Sequence, residues 1–206
     1  MTGAIRWMSL TCAAMSALAP GPATAQDRAN DVRQEIRHEL LQLPYYGVFD
    51  FLAFKYERGT AVLTGYAYTP TLKHDAEHAV RRVAGVDTVQ NTIEELPPSQ
   101  MDQDLRWKIY YAIYTDPFLS KYAPGGALLW GHRHRFRGFY GLWGPGLEPA
   151  GNYPIHIIVR NGRVTLMGVV DDEGDKTIAG MKARQVPGSF EMTNDLVVER
   201  GAKPPS

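Results

Sequence analysis

The sequence predicts an α+β fold made of two tandem α-β-β-α-β units, and three observations carry that prediction. First, Arg58 to Gly65, RGTAVLTG, recurs as Asn161 to Gly168, NGRVTLMG. The offset of 103 holds downstream, where Val83, Gly85, Asn91 and Ile93 match Val186, Gly188, Asn194 and Leu196. Second, apolar residues at spacings of three and four mark helical stripes on either side of that motif in each copy. Third, the motif itself alternates apolar and polar residues behind a Gly-containing turn, the pattern of a hairpin opening a half-buried strand.

Taken in order, residues 1–25 have one positive charge (Arg6), an apolar run from Trp7 to Leu18, helix-breaking Pro20 and Pro22, and Ala23-Thr24-Ala25. That is the order of a secretory signal peptide, with cleavage expected before Gln26. The alternative is a buried N-terminal helix, for which the run is short. Cys12 raises the question of a lipid anchor, but Ser9-Leu10-Thr11 makes a poor lipobox. Removing this segment takes away the one cysteine and leaves 21 basic residues against 22 acidic. Such a chain suits an oxidising compartment without a disulfide, and its charge balance gives no whole-molecule attraction to nucleic acid or membrane.

The first unit is expected over 27–96. Asp31 is the expected N-cap of a helix whose stripe is Val32, Ile36 and Leu40, and Pro44 ends it. Leu52, Phe54 and Tyr56 alternate as a strand into the Gly59 turn. After the second strand, Pro70 starts a helix with Leu72, Ala76, Val80 and Val83 on one stripe, and Gly85 stops it. Val89, Asn91 and Ile93 form the third strand, in which Asn91, like Asn194, interrupts the apolar alternation and is expected to hydrogen-bond the backbone nearby. A linker is expected over 97–101, at Pro97-Pro98-Ser99-Gln100.

The second unit is expected over 102–200, with a tail at 201–206. Asp104, Leu105, Ile109, Ile113 and Pro117 match the first helix at an offset of 73, so the change to 103 requires an insertion of about thirty residues, at about 123–153.

These residues resemble the BON-domain family, named for bacterial osmotically induced and nodulation proteins. The resemblance rests on NGRVTLMG with Val170 two residues on, on Val186-Pro187-Gly188, and on Asn194-Asp195-Leu196-Val197-Val198. RGTAVLTG, VAGV at Val83 to Val86 and Asn91-Thr92-Ile93 repeat it in the first unit. Phe190 and the insertion depart from the family pattern. The resemblance implies, for each unit, a small mixed three-stranded sheet covered on one face by two helices. It also implies a periplasmic protein that binds phospholipid surfaces or other envelope components without doing chemistry.

The insertion is the leading candidate binding element. Trp130, Arg133, Arg135, Phe136, Arg137, Phe139, Tyr140 and Trp143 stand among glycines, with His132 and His134, and show no clean period. Trp and Tyr favour a bilayer interface, and arginines beside it meet anionic headgroups at about 1 kcal/mol each. The bland alternative is a loop covering the joint between the units. Ile178 and Met181 replace Asp75 and His78 of the first unit, so the second helix of the second unit has an additional apolar face that needs a cover.

His74-Asp75-Ala76-Glu77-His78 fits the H-x-x-E-H pattern of inverted zinc peptidases. It supplies two ligands on one short helix, no third-ligand helix follows, and the second unit has Thr177, Gly180 and Met181 there. A solvated polar face is the preferred reading, so no metal and no cofactor are expected. No GxSxG, Walker loop, Rossmann fingerprint or CxxC pair is present. Arginine interleaved with aromatics also suits single-stranded nucleic acid, which a secreted chain seldom meets.

Three functions remain: a non-enzymatic envelope protein on anionic phospholipid surfaces, an adaptor for an envelope protein or cell-wall polymer, and a zinc hydrolase as the weakest. The segment 1–25 generates a direct test. Intact mass of the exported protein should place Gln26 first, and a lipidated Cys12 at the new terminus would overturn the reading of that segment.

Overall fold

The structure is a computed structural model that describes residues 25–123 and 153–199. The first unit comprises α1 (Ala25–Leu41), β1 (Phe51–Glu57), β2 (Thr60–Ala67), α2 (Pro70–Arg81), β3 (Thr88–Asn91) and a two-residue β4 (Glu94–Glu95). The second comprises α3 (Gln100–Tyr114), a 3-10 turn (Ser120–Tyr122), β5 (Ile155–Arg160), β6 (Arg163–Val170), α4 (Glu173–Arg184) and β7 (Glu191–Val198). The chain is therefore an α+β repeat of two α-β-β-α-β units, as the sequence predicts. In both, the central strand pairs antiparallel with the strand before it and parallel with the strand after the helix.

Local chemistry explains the boundaries. Thr69, Ser99 and Asp172 cap α2, α3 and α4, each side-chain oxygen accepting a backbone N–H three residues on. The helical expectation around Asp31 needs correction: α1 begins six residues earlier, so Asp31 lies inside the helix rather than at its N-cap. The residues before it include Ala25, Gln26, Arg28 and Ala29, all good helix formers, and nothing there stops the helix. The third strand of the first unit also differs from expectation. It breaks after Asn91, where both the N–H and the hydroxyl of Thr92 turn to the Leu63 carbonyl, and pairing resumes as β4 beside Tyr66 and Ala67.

Both hairpin turns place two residues at positive φ, Arg58 and Gly59 at 47° and 80°, Asn161 and Gly162 at 52° and 74°. This is the twist that a two-residue connection needs to match its strands. Asn91 and Asn194 perform one task twice. Asn91 Nδ2 donates to the Lys73 carbonyl of α2 at 3.0 Å while its Oδ1 accepts the Ile93 N–H. Asn194 does the same with Lys176 and Leu196. The expected local backbone bond is present, and a second bond ties each final strand to its helix.

The first core gathers Ile36, Leu40, Leu63, Leu72, Ala76, Val80 and Ile93. The second gathers Leu105, Ile109, Ile113, Ile155, Ile157, Leu166 and Leu196, and it also takes in Val48 and Phe49 from the first unit. The segment carrying them joins the units. Val48 accepts the Ile157 N–H at 2.8 Å, and the Phe49 ring meets Trp107 edge-on at 5.3 Å between centroids. Asp50 closes the segment on itself by accepting the N–H groups of Gly47 and Tyr68.

His156 of β5 is buried under this segment. Its Nδ1 lies 3.2 Å from the Gly47 carbonyl, which can only accept, so Nδ1 carries the ring proton and Nε2 takes the Tyr46 hydroxyl proton at 3.3 Å. Burial pushes the imidazole down to about 4 and the Tyr46 phenol up to about 12.

Two predictions follow from this architecture. An added Cβ at Gly168, which has φ 123°, would stand 2.0 Å from the Pro154 carbonyl oxygen. Gly168→Ala should therefore cost about 3 kcal/mol or more, read as a fall in denaturant midpoint. His156 has a folded value depressed below its unfolded value near 6.5, so its contribution is complete above pH about 6.5 and is lost as pH falls toward about 4. Unfolding free energy should drop by up to about 3 kcal/mol across that window, and His156→Phe should flatten the slope.

Candidate functional site

The insertion residues singled out by sequence, Trp130, Arg133, Arg135, Phe136, Arg137, Phe139, Tyr140 and Trp143, lie outside the described residues. The other two stand on α4. Ile178 is half-buried against the second core, so its neighbours within the unit already cover part of the additional apolar face. Met181, one turn on, is 48% exposed.

Beside Met181, Lys182 bonds Asp116 at 2.8 Å across a shallow cleft of about 420 Å³ between the C-terminal ends of α3 and α4. Burial pushes the Asp116 carboxyl up, but Lys182 and the N–H groups of Phe118 and Leu119 outweigh it and hold the group below its ordinary range. Lys108 and Gln185 also line this cleft. Ala112, Pro117, Val186 and Pro187 supply its apolar lining.

Within the histidine motif on α2, Glu77 is occupied with structural contacts. Glu77 accepts from Arg81 and from Asn91 Nδ2, and His74 and His78 are exposed. No group of three or more His, Cys, Asp or Glu side chains able to hold a metal ion occurs among the described residues.

A second concavity, of about 670 Å³, lies at the β5–β6 hairpin where the first unit faces the second. Tyr66 of the first unit lines it together with Ile158, Arg160, Asn161, Arg163, Thr165 and Phe190 of the second. Arg160 pairs with Glu94 of the first unit at 2.6 Å and Arg163 with Glu191 at 3.5 Å. Phe190 is 83% exposed and lies over Gly162, where a Cβ would come 2.5 Å from its ring. Sequence reading missed this groove. The available signal was the exchange between copies: Glu57, Thr60 and Asp87 of the first become Arg160, Arg163 and Phe190 of the second.

Fold and surface together define a pair of small α-β-β-α-β domains. The family model described as the BON domain matches residues 29–97 and 145–200, and the chain belongs to the BON-domain family. That family is generally a non-enzymatic binding domain, associated with phospholipid-binding and osmotic-stress proteins. No curated protein matches the chain. Two solved structures of CdsD, a structural protein of the type III secretion system of Chlamydia trachomatis, resemble it at 12% and 13% identity. They cover 82% of this chain in each case and 92% and 98% of the other, with TM-scores of 0.27 and 0.26. Scores that low support no statement about this chain. No helix among the described residues is long and apolar enough to cross a membrane.

Proposed function

We propose that this chain is an exported, non-enzymatic cell-envelope protein that associates with anionic phospholipid surfaces through its second unit and thereby supports envelope integrity under stress. One observation carries the assignment to that unit. Of the eight large apolar side chains exposed among the described residues, six (Met101, Phe118, Val169, Met181, Phe190 and Val197) stand from α3 onward, in the second unit. An exposed apolar side chain has a reason to persist when it meets an apolar surface, and Met181 stands beside Lys182 with Arg184 in the same turn. That combination suits an interface with anionic headgroups, where each nearby cation contributes about 1 kcal/mol. The aromatic and basic insertion extends the same surface chemistry in sequence.

The test is made on the full chain, because Val48 and Phe49 of the first unit complete the core of the second. Co-sedimentation with vesicles should require anionic lipid and weaken as salt rises. Met181→Ser combined with Trp130→Ser and Trp143→Ser should weaken binding about tenfold or more at every salt concentration, since apolar insertion is not screened. Absence of binding at low and high salt alike would replace the lipid reading with an adaptor for an envelope protein or cell-wall polymer.

A further inference from the structure

The two copies of the hairpin form an internal comparison. At the last strand pair before the turn, the first copy sets Glu57 opposite Thr60, whereas the second sets Arg160 opposite Arg163. Residues directly opposite on an antiparallel pair share a face, and like charges there are destabilising. The second copy therefore accepts a repulsion that the first avoids. At the equivalent third position, beside the turn glycine, Asp87 of the first copy gives way to Phe190. The same scaffold has exchanged two carboxylates and a hydroxyl for two guanidiniums and an exposed ring.

Each guanidinium is relieved by its own carboxylate, but weakly. The Arg160–Glu94 pair is 53% and 54% exposed and the Arg163–Glu191 pair 73% and 59%. Exposed pairs of this kind contribute little and exchange readily. Each glutamate is paired with one of the two cations, whereas a multivalent anion can accept from two guanidiniums at once.

We infer that the groove at the β5–β6 hairpin is a binding site for a phosphate ester, held between Arg160 and Arg163 with its organic body against Phe190 and Tyr66. Two guanidinium forks arriving from different strands match the tetrahedral oxygens of phosphate better than the two coplanar oxygens of a carboxylate. A dianionic ester also competes better against the resident glutamates. The volume of about 670 Å³ exceeds what the phosphate itself needs and leaves room for the body, beside the apolar side chain of Ile158 and the hydroxyl of Thr165. The ester is either a soluble metabolite or a lipid headgroup. The site is separate from the Met181 surface and stands without the lipid reading.

The experiment titrates isotopically labelled full-length protein with glycerol 3-phosphate, following the arginine side-chain Nε–H signals by NMR, and repeats the titration with phosphatidylglycerol vesicles. The signals of Arg160 and Arg163 should move together and saturate. R160Q/R163Q should weaken binding of the soluble ester about tenfold or more. Phe190→Asp, which restores the residue type of the first copy, should weaken it as well, and Arg58→Gln in the first hairpin should leave it unchanged. These side chains are exposed, and the wild-type titration decides the matter even if a variant folds poorly.

Movement with vesicles alone supports the site and identifies the ester as a headgroup. Signals that stay still under both probes, or wild-type affinity in R160Q/R163Q, overturn it. Wild-type protein that binds the soluble ester but no vesicle supports this site and sinks the lipid reading alone.

Discussion

The arrangement of the whole molecule depends on five residues, Tyr46 to Asp50, of which Tyr46 packs in the first core while Val48 and Phe49 complete the second. Val48 supplies a carbonyl to the N–H of Ile157 in β5, an outer strand of its sheet, and Phe49 fills a gap among Trp107, Tyr110 and Tyr68. An outer strand has backbone groups that its own sheet cannot satisfy, and an aromatic ring buried in a neighbour's core brings a large apolar area with it. Together they fix the position of the first unit on the second. Tyr66 and Glu94 consequently face Arg160 across the hairpin groove, so a surface feature of the second unit acquires a wall from the first. A linker at Pro97-Pro98 would not by itself produce this relation.

Duplication separates what the fold requires from what it leaves free. Gly65 and Gly168 are equivalent, and a Cβ on either would meet a backbone carbonyl oxygen at 2.0 Å. Asn91 and Asn194 each tie a strand to a helix and satisfy a nearby N–H. Changing any of these alters the backbone or leaves a polar group unpaired, at a cost of one to several kcal/mol. The exposed positions around the same turns carry no such cost. Glu57, Thr60 and Asp87 could become Arg160, Arg163 and Phe190 without touching the scaffold. Divergence between the copies at these turns accordingly falls on positions that the scaffold leaves free.

This difference also decides what the sequence reveals. Turns, helix stripes and strand alternation are local, so the order of elements was legible from spacing and the repeated glycines. Two local details were not. The start of α1 runs past Asp31 because nothing before that residue breaks a helix, and β3 stops at Asn91 because Thr92 turns both its donors to Leu63. The joint was illegible for another reason. It lies between the first helix and first strand, where the second copy has its insertion and no counterpart can be aligned. Its contacts also span long separations, as Tyr46 with His156 does across 110 residues. The hairpin groove was legible in principle, since its residues stand at matching offsets. Finding it required reading the differences between copies rather than their agreement.

Arg106 shows why the joint has one arrangement. Its guanidinium is fully buried, donates one N–H to the Val159 carbonyl, and lies 4.9 Å from the centre of the Tyr68 ring. Nε and Nη1 make no hydrogen bond among the described residues. Burial pulls its pKa below the ordinary arginine value, while Tyr68, Asp102 and Asp50 oppose that shift. A cation so placed adds little net stability, because the cost of leaving water offsets most of what its contacts return. Its effect is on the alternatives. Val159 belongs to the second unit and Tyr68 to the first, so carbonyl and ring meet the guanidinium together only in this docking. A docking that moved Tyr68 away would take from the guanidinium the ring that faces it. Phe49 and Val48 provide attraction between the units, and the ring of Tyr68 over the buried arginine adds a contact that depends on how the two are docked.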